Sequence, residues 1–153
     1  MARHFDSLQQ QAFLNLWRTY DRLRAFEDEL FARFDLTPQQ YNLLRLLRGA
    51  SPEPVATLTL ATRLVSRAPD ITRMLDKLQE RGWIARERPQ ANRRQVLVSI
   101  TPAGLTLLAR LDQPLRECHD QQLGHLRDAE LRELIGLLEK ARAPHELDQS
   151  MWK

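Results

Sequence analysis

One cysteine, Cys118, stands among 153 residues. That excludes an internal disulfide framework and fits a reducing compartment. Glycine is scarce as well, with five residues, and Leu-rich periodic runs fill the space between them. Both features argue for a mostly helical protein. No apolar run approaches the roughly 18 residues of a membrane span, and no basic-then-apolar leader opens the chain. A cytoplasmic protein without membrane contact is expected. GxGxxG, GxSxG, HExxH and the phosphate-binding glycine loop are all missing. His4, His119, His125 and His145 form no pair with metal-ligand spacing on one helix face. With no nucleophile, acid/base pair or metal constellation, neither an enzyme nor a bound cofactor is expected. Cys118 reads as a small apolar residue in a helix interface.

What is present is an order of elements. Residues 56–104 read as helix, turn, helix, basic hairpin and a capped new helix. In the stretch Arg67 to Ile84, Pro69 near the start and Gly82 just past the end bound a helix of about three turns. Ile71, Leu75 and Leu78 recur at i, i+4, i+7, with Met74 beside them, and so face inward. Asp70, Arg73 and Lys77 lie opposite. Ile84 to Arg88 is a short strand, 89–94 a basic turn, and Gln95 to Ile100 an alternating return strand. Arg86 and Arg88, two apart, are expected to share an outward face. Trp83 is read as an anchor of the hairpin rather than a base-stacking residue.

Charge concentrates on the same segment. Residues 63–94 carry nine Lys/Arg against four Asp/Glu, a net +5, while the whole chain is only +3. A phosphate backbone attracts such a patch through counterion release. Taken alone, the patch could equally be a solvated basic face; the helix order and hairpin favour DNA. Arg63 and Arg81, at helix ends, could reach phosphates or simply be solvated.

Around this module the chain is helical. A long helix is expected from Phe5 to Phe34, with Leu8, Ala12, Leu16, Tyr20, Leu23, Leu30 and Phe34 in near-helical register and Phe13, Trp17, Phe26 and Phe31 widening the stripe. A stripe this wide exceeds one small domain's packing needs and points to a second subunit as well. Thr37-Pro38 opens a second helix ending at Gly49. Val55 to Leu58 reads as an edge strand, Thr59 as the cap of a short helix and Val65 to Ala68 as the turn. Thr101-Pro102 opens another helix, in which Pro114 should kink or interrupt the path. Asp128 can cap the last helix, striped by Leu131, Leu134, Ile135 and Leu138, before a polar tail from Pro144.

The fold class expected is mostly α: a winged helix-turn-helix with a small β-hairpin wing and long terminal dimerisation helices. Its parts are an N-terminal dimerisation helix (1–34), the DNA-binding lobe (35–101), C-terminal dimerisation helices (102–143) and the tail (144–153). Candidate DNA-binding residues are Arg67, Asp70, Thr72, Arg73, Lys77, Arg86, Arg88, Arg93 and Arg94. Arg73 suits a bidentate guanine contact and Lys77 a phosphate. Asp70 could accept from a cytosine or serve the helix N-terminus electrostatically. Trp17, Tyr20 and Tyr41 are read either as core or as the lining of a small aromatic-ligand pocket.

Three segments in order resemble the MarR (multiple antibiotic resistance regulator) family. Arg67 to Leu78 looks like that family's recognition helix. Arg93 to Gly104 looks like its wing, return strand and next helix start, and Leu131 to Leu138 like its final dimer helix. The resemblance spans roughly residues 10–142. It implies a homodimer on double-stranded DNA with an inverted-repeat operator, recognition helices in major grooves, wing arginines in flanking minor grooves, and a small-molecule pocket between dimer and DNA-binding parts. The wing departs from the family pattern: Pro89 and Asn92 stand where acidic residues precede the arginine pair. Asn92 can make an Asx-type turn but supplies no charge to hold Arg93. The peroxide-sensing branch carries its cysteine near the amino terminus, and none stands there here. A ligand-released repressor is therefore expected. A non-specific architectural DNA binder and a helical interaction module without DNA remain as other classes, distinguished by sequence discrimination and by salt-dependent DNA binding.

Overall fold

A computed structural model describes residues 5–65 and 70–146. The order is α1 (Leu8–Ala32), α2 (Pro38–Ala50), β1 (Val55–Ala56), α3 (Thr57–Arg63), α4 (Ile71–Glu80), β2 (Ile84–Glu87), β3 (Leu97–Ile100), α5 (Pro102–Leu123), α6 (Asp128–Arg142), then a single 3-10 turn, Ala143–His145.

Helix ends follow local chemistry. α1 starts at Leu8 rather than near Phe5, because Ser7 caps it, its hydroxyl accepting from Gln10 N–H at 3.0 Å. It stops at Ala32, two residues before Phe34, because Asp35 turns left-handed (φ 54°) and Leu36 N–H closes on the Phe31 carbonyl. Thr37 and Gln40 cap α2 reciprocally, each side chain accepting from the other's backbone N–H at 3.1 Å. Gly49 does not end α2; the helix runs one residue further and Ser51 closes on the Leu47 and Arg48 carbonyls. α5 opens at Thr101, whose hydroxyl accepts from Gly104 N–H at 3.1 Å and donates to the Gly82 carbonyl at 2.6 Å.

Three further expectations change on folding. The edge strand is two residues, not four: α3 begins at Thr57, with Ala56 rather than Thr59 at its cap, while Thr57 N–H and hydroxyl still reach the Val96 carbonyl (3.0 and 3.3 Å) in register with the strand pair. Leu58 is consequently helical and 84% exposed. Pro114 does not interrupt α5, which runs unbroken to Leu123. Proline removes one backbone bond there, but Leu111, Leu115 and Cys118 stay buried on both sides of it and hold the helix against the core. Asp128 is the first residue of α6 rather than its cap. Arg127 precedes it, and Glu130 accepts from both its N–H (3.2 Å) and its guanidinium (2.6 Å), which holds the Glu130 carboxyl below its usual range.

The three strands form one antiparallel sheet in the order β1-β3-β2, with Val55 opposite Val98, and Ile84 opposite Ile100. One core joins this sheet to the helices: Leu43, Leu44 and Leu47 of α2, Leu60 of α3, Leu75 and Leu78 of α4, Ile84, Val98, and Leu107, Leu108 and Leu111 of α5. Only the far end of α1 enters it, through Leu30 and Phe31. The rest of that helix leaves Leu8, Phe13, Leu16, Trp17, Tyr20 and Phe26 exposed, and α6 buries nothing, with Ile135 and Leu137 exposed. Among the described residues no helix is long and apolar enough to cross a membrane.

Candidate nucleic-acid interface

Leu75 and Leu78 are buried and Ile71 and Met74 half-buried, so α4 lies on the lobe by that face. Its other side must then point outward, and Thr72, Arg73, Asp76 and Lys77 are exposed there. Asp70 is at the N-cap. Its carboxylate accepts from Arg73 N–H at 3.0 Å, so the side chain serves the helix terminus, the second of the two roles read for it. Arg67 lies outside the described residues.

The two strand arginines part company. Arg86 shares the period-2 face of Ile84, which is 2% exposed, so it points toward α4 rather than outward; Arg88 is next in that alternation but falls past the end of β2. Its guanidinium meets Asp76 at 2.6 Å and Gln79 at 2.6 Å. Arg86 thus ties the hairpin to α4 and its charge is already balanced by Asp76. Arg88 lies beyond the strand end, exposed, and donates to the Arg93 carbonyl at 2.9 Å across the turn.

The turn itself is braced by backbone. Asn92 N–H bonds the Pro89 carbonyl at 3.1 Å, Gln95 N–H the Asn92 carbonyl at 3.2 Å, and the Asn92 side chain accepts from Arg94 N–H at 3.3 Å. That last bond is the Asx turn expected of asparagine at this position. Arg93 and Arg94 project from it, exposed. Between α3, α4 and the hairpin runs a groove of about 830 Å³, lined by Leu58, Thr72, Gln79, Arg86, Arg88 and Arg94 among others. Arg81 is turned elsewhere: it pairs with Asp35 at 3.3 Å and lies 3.9 Å over the Trp83 ring. Trp83 anchors the hairpin as expected, half-buried against the core with its carbonyl accepting from Thr101 N–H at 3.0 Å.

A second cavity, about 890 Å³, opens between α1, α2 and α5. Tyr20 and Tyr41 both line it; Trp17 does not, packing instead near Phe13 with ring centroids 6.3 Å apart. Tyr41 stacks on Phe31 at 5.0 Å, and burial pushes its phenol above the ordinary value. The charged lining is mixed, with Arg24, Arg45 and His119 beside Glu27 and Asp28, and Asn42 and Gln39 add neutral polar groups. Arg45 follows Tyr41 by one helical turn and was legible from that spacing; His119 comes from a distant helix and was not. Cys118 is buried beside this region, and desolvation raises its thiol. Among the described residues no group of three or more His, Cys, Asp or Glu could hold a metal.

A short sheet packed on a helix-turn-helix, with a basic outer face on the second helix and arginines at a hairpin tip, defines a winged-helix DNA-binding protein. The MarR family model matches residues 36–96. A MarR transcription factor from Planctomyces limnophilus is 57% identical, with a TM-score of 0.71, the alignment covering 89% of this chain and 98% of that one. The HTH-type transcriptional regulator YpoP of Bacillus subtilis is 30% identical over 82% of this chain and 86% of its own length. Bordetella bronchiseptica BpsR, whose DNA binding is regulated by 6-hydroxynicotinic acid, shares the fold at 23% identity, with a TM-score of 0.77 over 92% and 97% of the two chains. The chain belongs to the MarR family of DNA-binding transcriptional regulators.

Proposed function

We propose that this chain is a cytoplasmic homodimeric repressor that reads an inverted-repeat operator and leaves it when a small aromatic anion binds. The observation carrying the DNA part is the exposed face of α4, Thr72, Arg73 and Lys77, set beside a hairpin whose Arg93 and Arg94 are exposed. Arg73 reads a guanine edge, Lys77 meets phosphate, and Arg93 enters the minor groove. Two copies are required for the apolar faces of α1 and α6, which would otherwise leave Leu16, Trp17, Ile135 and Leu137 in water. Paired recognition helices then meet half-sites about 10 base pairs apart.

Binding to the selected operator and to a scrambled duplex tests this reading. Arg73→Ala is expected to lose about 1–3 kcal/mol on the operator and much less on the scrambled duplex. An unchanged ratio rejects base reading by Arg73, and a wild-type protein that does not discriminate is an architectural binder instead. A monomer by sedimentation with operator binding intact removes the dimer.

Arg93 and Arg86 give a sharper contrast. Arg93→Ala should flatten the log–log salt slope by about one unit. Arg86→Ala should weaken operator binding by loosening the hairpin on α4, with the slope unchanged, because Asp76 already neutralises that guanidinium. A slope change in Arg86→Ala equal to that of Arg93→Ala would make it a phosphate contact after all.

The Tyr20–Tyr41 cavity supplies the ligand half. Among the described residues Arg45 bonds the neutral Asn42 side chain at 3.0 Å and no carboxylate, Glu27 and Asp28 of the same lining included, so its charge remains for a carboxylate or phenolate. The ligand must prefer the dimer geometry that does not fit DNA. A coupling of about 1–3 kcal/mol loosens the operator roughly 5- to 150-fold, and operator must weaken the ligand by the same factor. Titrating salicylate with and without operator reads both; equal affinities rule it out as an inducer.

A further inference from the structure

We infer that a second, separate site on this chain binds a compact polyvalent oxyanion, a phosphate group free or carried on a small metabolite, between Arg33, Arg81 and Arg110. These three side chains reach a cavity of about 370 Å³ from three elements: the end of α1, the end of α4 and the first half of α5. Asp35 is the one carboxylate on its lining and already takes Arg81 at 3.3 Å, so the lining keeps two positive charges. Arg33 and Arg110 have no ion-pair partner among the described residues.

The three exposed arginines line one cavity whose single carboxylate balances only one of them, so an anion entering it meets a net positive field. The aromatic neighbours decide what kind of anion. The Arg81 guanidinium lies 3.9 Å over the Trp83 ring and that of Arg110 lies 5.6 Å from the Phe34 centroid. A guanidinium thus already lies over one face of Trp83 and near Phe34, where an aromatic ligand would otherwise stack. Arg81 already gives both terminal nitrogens to Asp35, so the forks of Arg33 and Arg110 are the ones left to grip phosphate oxygens in pairs. The site is thus built for oxygens rather than rings, unlike the Tyr20–Tyr41 cavity. Because it joins α1 to the end of α4, an anion there would pin the recognition helix to the terminal-helix scaffold.

Calorimetry of the full chain with inorganic phosphate, at ionic strength matched by chloride, tests the site without DNA. Saturable binding of one phosphate per subunit is expected. The double variant Arg33→Ala/Arg110→Ala should weaken it by at least about tenfold, and Arg110→Lys, which keeps the charge but loses the fork, should weaken it less. Glycerol phosphate binding as tightly as inorganic phosphate assigns the site to a phosphoryl group on a carrier; binding of the inorganic ion alone assigns it to the free ion. No saturable heat, or wild-type affinity in the double variant, overturns the inference. It is also overturned if the double variant loses operator affinity and salt slope in the absence of phosphate, since the arginines would then be holding DNA backbone. The operator reading stands or falls separately, on Arg73 and Arg93.

Discussion

Leu78→Ala is expected to lower the unfolding free energy by about 2–5 kcal/mol. Leu78 is 0% exposed and sits in the one core that joins α2, α3, α4, the sheet and α5. Truncation removes its buried methyl groups and leaves a cavity that packed neighbours refill only in part. The loss is also functional, because α4 is a ten-residue helix held to the lobe by little else: Leu75, the half-buried Ile71 and Met74, and the Arg86 tether. A helix that short does not persist without tertiary packing. Operator affinity should therefore fall together with stability, even though Leu78 touches no DNA. Urea midpoints at one fixed protein concentration measure the effect, since any dimer makes stability concentration-dependent. Lys77→Ala, one residue away on the exposed face, should stay within about 0.5 kcal/mol in stability while weakening DNA binding. Equal midpoints for Leu78→Ala and Lys77→Ala would contradict the packing of α4 described above.

Gly104→Val should destabilise by about 2–4 kcal/mol. A Cβ at residue 104 would stand 2.4 Å from the Trp83 carbonyl oxygen and 2.7 Å from Ile100 Cγ1. The carbonyl cannot swing away freely, because it accepts from Thr101 N–H at 3.0 Å, the bond that seats the start of α5 on the hairpin. Either the bond breaks or α5 lifts from the sheet. The damage should reach the wing, since Trp83 and Ile100 flank its two strands. Gly49→Ala offers the opposite sign: nothing lies within 4 Å of its Cβ position in the last turn of α2, so a gain of about 0.5–1 kcal/mol is expected from helix propensity. Thermal unfolding of the three proteins decides it, and a Gly104→Val protein as stable as the parent would mean the helix–hairpin junction is looser than these contacts require.

The sequence by itself determined much of what depends on neighbours along the chain, although the caps read at Thr59 and Asp128 fell instead at Ala56 and Arg127. Thr37 with Gln40, Thr101 before Pro102, and Asp70 before Ile71 all cap the helices they precede, because a cap needs only a side chain within three residues of a free N–H. The i, i+4, i+7 spacing of Ile71, Leu75 and Leu78 set which side of α4 faces water, and with it the placing of Thr72, Arg73 and Lys77. The excess of apolar residues on α1 was legible for the same reason.

Tertiary structure decided the rest. Arg86 and Arg88 look alike in sequence and alternate onto one face, yet only the folded hairpin shows that Arg86 meets Asp76 while Arg88, past the end of β2, stays exposed. Pro114 carries a local penalty that reads as a break, and buried Leu111 and Leu115 outweigh it once α5 lies on the core. The edge strand stopped at Ala56 with α3 starting at once, and Thr57 is seated there by the Val96 carbonyl, 39 residues on. Tyr20 met Tyr41 and His119 while Trp17 stayed outside, and Arg33, Arg81 and Arg110 came together from three helices. Each of these depends on contacts between residues far apart in the chain. Periodicity reports which face of an element is buried, but not which distant residue that face will meet.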